Sequence, residues 1–203
     1  MARAEKQGKD SGAEFLLDKS DDWPQSSTIR FDQVSRKRAR MILGMSLGTY
    51  TAIHVVISLI GIASGLIVLA GLIGGRLLTM WNSLFLITTV LTSATGFGFP
   101  NTKVTPGIVL GILSLIVLAI AIFALYGRRL SGVWRRTYAI TAMIALYFNV
   151  FVLVAQLFEH VPAIHALAPT QTEAPFKIAQ SLLLVVFAVL IGAAAKKFRT
   201  VPA

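Results

Sequence analysis

The chain has 203 residues, of which 55% are hydrophobic and 14% charged, with a formal charge of +10 and a mean hydropathy of +0.73. A soluble domain carries about 25% charged residues, so these values argue for a polytopic membrane protein and against a soluble nucleic-acid binder, which needs a basic aqueous face. The lack of cysteine removes disulfides, thiolate metal sites, iron–sulfur clusters and cysteine nucleophiles from consideration.

In chain order, residues 1–44 are a polar tail. The first 48 residues hold nine basic and seven acidic side chains, and up to about Ser35 the composition predicts disorder or weak helix. The run Arg36-Lys-Arg-Ala-Arg40 abuts the first apolar stretch, which is too long for a signal-peptide core and is expected to be retained. Met41 and Met45 just before it make the tail read as an extension upstream of an original start.

Residues 45–199 predict an all-α bundle of transmembrane helices, followed by a short tail at 200–203. A spanning helix needs roughly 20 apolar residues, and 49–73, 107–126, 137–158 and 178–195 qualify without any Asp, Glu, Lys or Arg inside them. The stretch 81–99 is less apolar and holds Thr88, Thr89, Thr92, Ser93 and Thr95, uncharged hydroxyls that can bond back to the helix. It is read as a fifth spanning helix; the alternative is a re-entrant segment and four spans. The turn Thr95-Gly-Phe-Gly-Phe-Pro100 ends it.

With five spans, Arg76, Arg128, Arg129, Arg135, Arg136, Lys196, Lys197 and Arg199 share one face, belted by Trp81, Tyr126, Trp134 and Tyr138. The opposite loops hold Lys103, Glu159, Glu173 and Lys177, with no net charge. The positive-inside rule puts loop 127–136 and the C-terminus in the cytoplasm and loop 159–177 outside. The Arg36–Arg40 run then lies on the wrong side, as an extension or an outvoted signal would. At 159–177 the connection is long for a bundle; Pro162, Pro169 and Pro175 stiffen it, and 162–168 predicts a short helix.

The first span carries His54, Ser58, Gly61 and Gly65 on one face. Gly61/Gly65 and Gly107/Gly111 are GxxxG pairs that permit close helix approach, within the bundle or toward a homo-oligomer or membrane partner. His54 lies about 7 Å inside its helix, where an ionisable group is a functional candidate. Asn149, Gln156 and His160 share a side of the fourth span, so the topology gathers all three histidines near one leaflet. Two cofactor readings follow. Haem b would use His54 and His160, and a transition metal would draw on His54, Glu159, His160 and His165. The alternative is a His54 hydrogen-bonded to Asn149, Gln156 or a hydroxyl of the second span. Thr88, Thr92, Asn149 and Gln156 form a polar intramembrane cluster, either a solute route or interhelical bonding. No nucleophile elbow, P-loop, dinucleotide motif or paired carboxylates appear. The basic tail is balanced by acids, so nucleic acid is not an expected partner; the lipid bilayer is.

The segments Thr92-Ser-Ala-Thr-Gly-Phe-Gly-Phe-Pro100, Tyr147-Phe-Asn-Val-Phe-Val-Leu153 and His165-Ala-Leu-Ala-Pro-Thr-Gln171 resemble a family of small bacterial inner-membrane proteins without an assigned activity. The resemblance runs from about Gly44 to Arg199 and implies a bacterial source and a stand-alone membrane domain, with no site to carry over. The expected function is therefore a non-enzymatic accessory, structural or binding protein. A haem- or metal-binding redox or sensing protein and a small-solute carrier stand as alternatives.

Overall fold

Uninterrupted runs of uncharged apolar residues fold as helices because a helix satisfies its own backbone. In the computed structural model, which describes residues 41–42, 44–99 and 106–199, each such run is one helix. They are α1 (Leu47–Ile73), α2 (Thr79–Gly96), α3 (Pro106–Ile122), α4 (Trp134–His160), a single turn α5 (Pro162–His165) and α6 (Ala174–Arg199). α1, α3 with its C-terminal extension, α4 and α6 are long and apolar enough to cross a membrane. Ahead of α1, β1 (Met41–Ile42) and β2 (Met45–Ser46) pair antiparallel around Gly44, whose φ of 80° is left-handed. The predicted disordered tail lies outside the described residues.

α2 explains its own modest hydropathy. Its buried residues are Asn82, Phe85, Leu86, Thr88, Thr89 and Ser93, while Met80, Ile87 and Leu91 face outward. Two of the hydroxyls are turned inward and bonded: Thr88 donates to the Leu84 carbonyl at 2.7 Å, and Ser93 to the Ser114 hydroxyl of α3 at 3.1 Å. Gly75, at φ 72°, turns the chain from α1 into α2, with Arg76 N–H closing on the Gly71 carbonyl at 2.8 Å. α2 then runs back along α1. Leu78 lies against Gly71, Phe85 against Gly65, Thr88 and Thr89 against Gly61, and Thr95 beside Tyr50. Gly61/Gly65 thus packs within the bundle, and Leu146 of α4 closes on Gly65 from a second side.

α4 is the central helix. Tyr138, Ala139, Ala142, Met143, Ala145 and Leu146 are completely buried, the alanines leaving room for neighbours to approach. α6 leans on it through the Tyr147–Phe187 ring pair and a Gln180 amide that donates to the Phe151 carbonyl at 3.1 Å. The exterior is aliphatic: Val55, Val56, Leu66, Ile116, Leu182, Val185 and Val189 are all exposed.

α3 ends in a π-helical turn at Phe123–Gly127, with Arg128 N–H on the Phe123 carbonyl at 2.9 Å. This turn brings Arg128 over the Trp134 ring, while Arg135 lies over Phe198, each 5.4 Å from the ring centroid. Tyr138 departs from the predicted aromatic belt. Its ring is fully buried beside Phe198, and its hydroxyl donates to Oδ1 of buried Asn82. The reason is register: Tyr138 lies one turn past Trp134 on the α4 face that meets α2.

The long connection is ordered by polar staples. Gln171 (φ 58°) donates its amide to the Ala155 carbonyl at 3.1 Å, Ala168 is buried, and Phe176 packs edge-on to Phe158. The carboxylate of Glu173 accepts from the Thr170 hydroxyl at 2.8 Å and from the Thr170 and Thr172 amides. Slight desolvation works to raise its pKa, but these donors outweigh it, so the group titrates below the usual carboxylate range. A depressed folded pKa stabilises the loop above the unfolded value, and that contribution disappears as pH falls through the folded one. The Thr170 and Thr172 amide proton resonances should therefore move together with a midpoint below that of an ordinary glutamate. In Glu173→Gln that titration should be absent; its persistence there would assign it to another acid.

Candidate functional site

At the end of the bundle where α1 begins and α4 ends, four helices part around a half-open cleft of about 410 Å³. α1 contributes Thr51, His54 and Val55. α2 and its exit contribute Thr92, Ser93, Gly96, Phe97 and Phe99. Gly107, Ile108, Leu110, Gly111 and Ser114 come from α3, and Phe148, Asn149, Val152, Gln156, Glu159 and His160 from α4. The residues sort by spacing: Asn149, Val152, Gln156 and His160 recur every three or four positions along one stripe of α4. Gly111 makes room for a ring, since a Cβ there would stand 3.3 Å from Phe97.

His54 is held firmly. The Thr95 hydroxyl donates to the Leu91 carbonyl at 2.7 Å, so toward the imidazole it acts as an acceptor, and Nδ1–H of His54 donates to it at 2.8 Å. That fixes the tautomer and leaves Nε2 with the lone pair. Phe99 stands edge-on to both His54 and Tyr50, each at 5.2 Å, and the Tyr50 hydroxyl donates to the Thr95 carbonyl at 2.7 Å. Asn149 donates to Thr89 at 3.4 Å, tying α4 to α2. Thr92 Oγ1 is buried in the wall without a partner among the described residues.

The cleft brings together His54, Thr92, Asn149, Gln156, Glu159 and His160 of the sequence-predicted residues, with Gly107 and Gly111. Two predicted members fall elsewhere. Thr88 is turned onto Gly61 and bonded back to Leu84. His165 lies on α5, its Nδ1–H donating to the Phe158 carbonyl at 3.0 Å. The predicted four-donor metal set is not brought together in one cleft, and among the described residues no group of three or more His, Asp or Glu stands together where it could hold a metal ion. His165 is held against the end of α4, and His160 Nδ1–H is engaged with the Gln156 carbonyl at 3.2 Å.

Sequence reasoning missed Thr51, Ser93 and Ser114 as lining residues, and it did not single out Thr95 as the His54 partner. The ladder of hydroxyls on the second span was the available signal. It also missed buried Asn82, which accepts from Tyr138 about three helical turns from the cleft. The lining reaches no deeper than Ser114 and Phe148, and fully buried Phe85, Leu118 and Leu146 fill the bundle below it. The arrangement is a blind cleft, apolar and aromatic in its walls, with polar atoms at defined points. No known protein family, characterised protein or solved structure matches this chain.

Proposed function

We propose that this chain is a five-span integral protein of a bacterial inner membrane, non-enzymatic, which holds a small amphipathic molecule in the cleft at the outer leaflet. The cleft carries this reading: an aromatic-walled space bounded by four helices, with polar groups converging on it from α1, α2 and α4. The fifth span is supported by α2 running beside α1 from Gly71 to Tyr50, about 31 Å at 1.5 Å per residue, close to the roughly 30 Å hydrocarbon core. The basic face at the opposite end supports a cytoplasmic orientation for loop 127–136. The bacterial inner membrane rests on the family resemblance.

Protein purified in mild detergent should carry a small molecule detectable by native mass spectrometry. Gly111→Trp, which fills the space against Phe97, should lose it, and Gly192→Trp, with nothing within 4 Å of its Cβ position, should keep it. A wild type that is empty under these conditions would refute the reading. A second reading, haem held by His54 and His160, has one support: both imidazoles line the same cleft from different helices. A Soret band lost in His54→Ala would favour it.

A further inference from the structure

We infer that the cleft is selective for a neutral, lipid-soluble molecule bearing a hydroxyl on a ring, a phenol or hydroquinone, whose O–H donates to Nε2 of His54. The inference rests on the reading of the cleft as a ligand site and specifies its chemistry. Four donors along the inner wall are already committed. His54 Nδ1–H goes to Thr95, the Thr95 hydroxyl to Leu91, an Asn149 amide proton to Thr89, and the Ser93 hydroxyl to Ser114. What remains at His54 is an acceptor, Nε2, with no partner among the described residues. A ligand satisfies it only by donating.

Charge narrows the class. Among the described residues no Lys or Arg lines the cleft, and Glu159 stands exposed at its mouth. A carboxylate or phosphate head would meet a repelling acid and, among the described residues, no cation, whereas a neutral hydroxyl meets neither penalty. The buried Thr92 Oγ1 offers a second unpaired atom in the same wall, and a hydroxyl oxygen, unlike an ammonium, can accept as well as donate. Size and shape point to a ring. About 410 Å³ is at the small end of ligand pockets, and Phe97, Phe99 and Phe148 supply faces and edges for an aromatic body.

The test uses the full chain in lipid nanodiscs, titrated with 4-hexylphenol and with 4-hexylanisole, its methyl ether, each corrected for partition into empty nanodiscs. The phenol should bind about fivefold to tenfold more tightly, the effect of one hydrogen bond. The Nε2 resonance of ¹⁵N-labelled His54 should move with the phenol alone. In His54→Phe the two ligands should bind equally. Thr95→Val, which frees the tautomer while keeping the imidazole, should reduce the preference. Equal binding of phenol and ether to the wild type, with Nε2 unmoved, would overturn the donor assignment while leaving the cleft as an apolar site. No saturable binding of either would also overturn it, and the co-purified molecule would then judge the cleft itself.

Discussion

Gly65→Val is expected to lower the thermal midpoint of the detergent-solubilised protein by about 6–12 °C, corresponding to about 3 kcal/mol. A Cβ at Gly65 would stand 2.6 Å from Leu146 and 2.9 Å from two atoms of the Phe85 ring, and both of those side chains are fully buried. Neither has free volume to move into, so α1 must shift outward and loosen its contact with α2 and α4 together. Gly61→Ala should cost less, because its nearest neighbour is a Thr88 hydroxyl at 3.2 Å. Gly192→Val on the open face of α6 should leave the midpoint unchanged. Scanning fluorimetry on the three variants checks the series, and a Gly65→Val midpoint equal to that of Gly192→Val would show that α1 does not seat where Gly65 places it.

Tyr138→Phe is expected to cost about 1–3 kcal/mol although it removes one oxygen. Its hydroxyl is the donor to Asn82 Oδ1, and both residues are buried, at 0% and 1% exposure. Without it, a side-chain amide oxygen is stranded in a low-dielectric core, where water cannot substitute. Adding Asn82→Leu to Tyr138→Phe removes the stranded group, so the double variant should be more stable than the sum of the two losses predicts. Unfolding of the four proteins gives the coupling energy. Strict additivity would mean that the two side chains do not share a bond.

The helices were legible because 3.6-residue spacing and the absence of charge leave few alternatives for such long apolar runs. Their ends were less so: Arg135 and Arg136 belong to α4 although charged, and the π turn after Ile122 has no local signature. The gathering of His54, Asn149, Gln156 and His160 was legible because antiparallel connection puts the start of α1 and the end of α4 at one level. What spacing does not convey is rotation about each helix axis. Thr88 and Thr92 share a ladder, yet one meets Gly61 and the other the cleft. Tyr138 looked interfacial by position and proved internal, because helix α2 offers it an amide at that depth. His165 was close in sequence to His160, but the α5 turn carries it onto the Phe158 carbonyl.

The inward hydroxyls of α2 also bear on how the chain is assembled. On the five-span reading, α2 enters lipid carrying polar side chains, and Thr89, Ser93 and Asn82 meet their hydrogen-bond partners only when α3 and α4 are present. α1, the more hydrophobic of the first pair, would on that reading enter with α2 as a hairpin across the five-residue turn 74–78. On that reading the hairpin alone would leave Asn82 and Thr89 without their α4 partners, and the arrival of α4 would satisfy both.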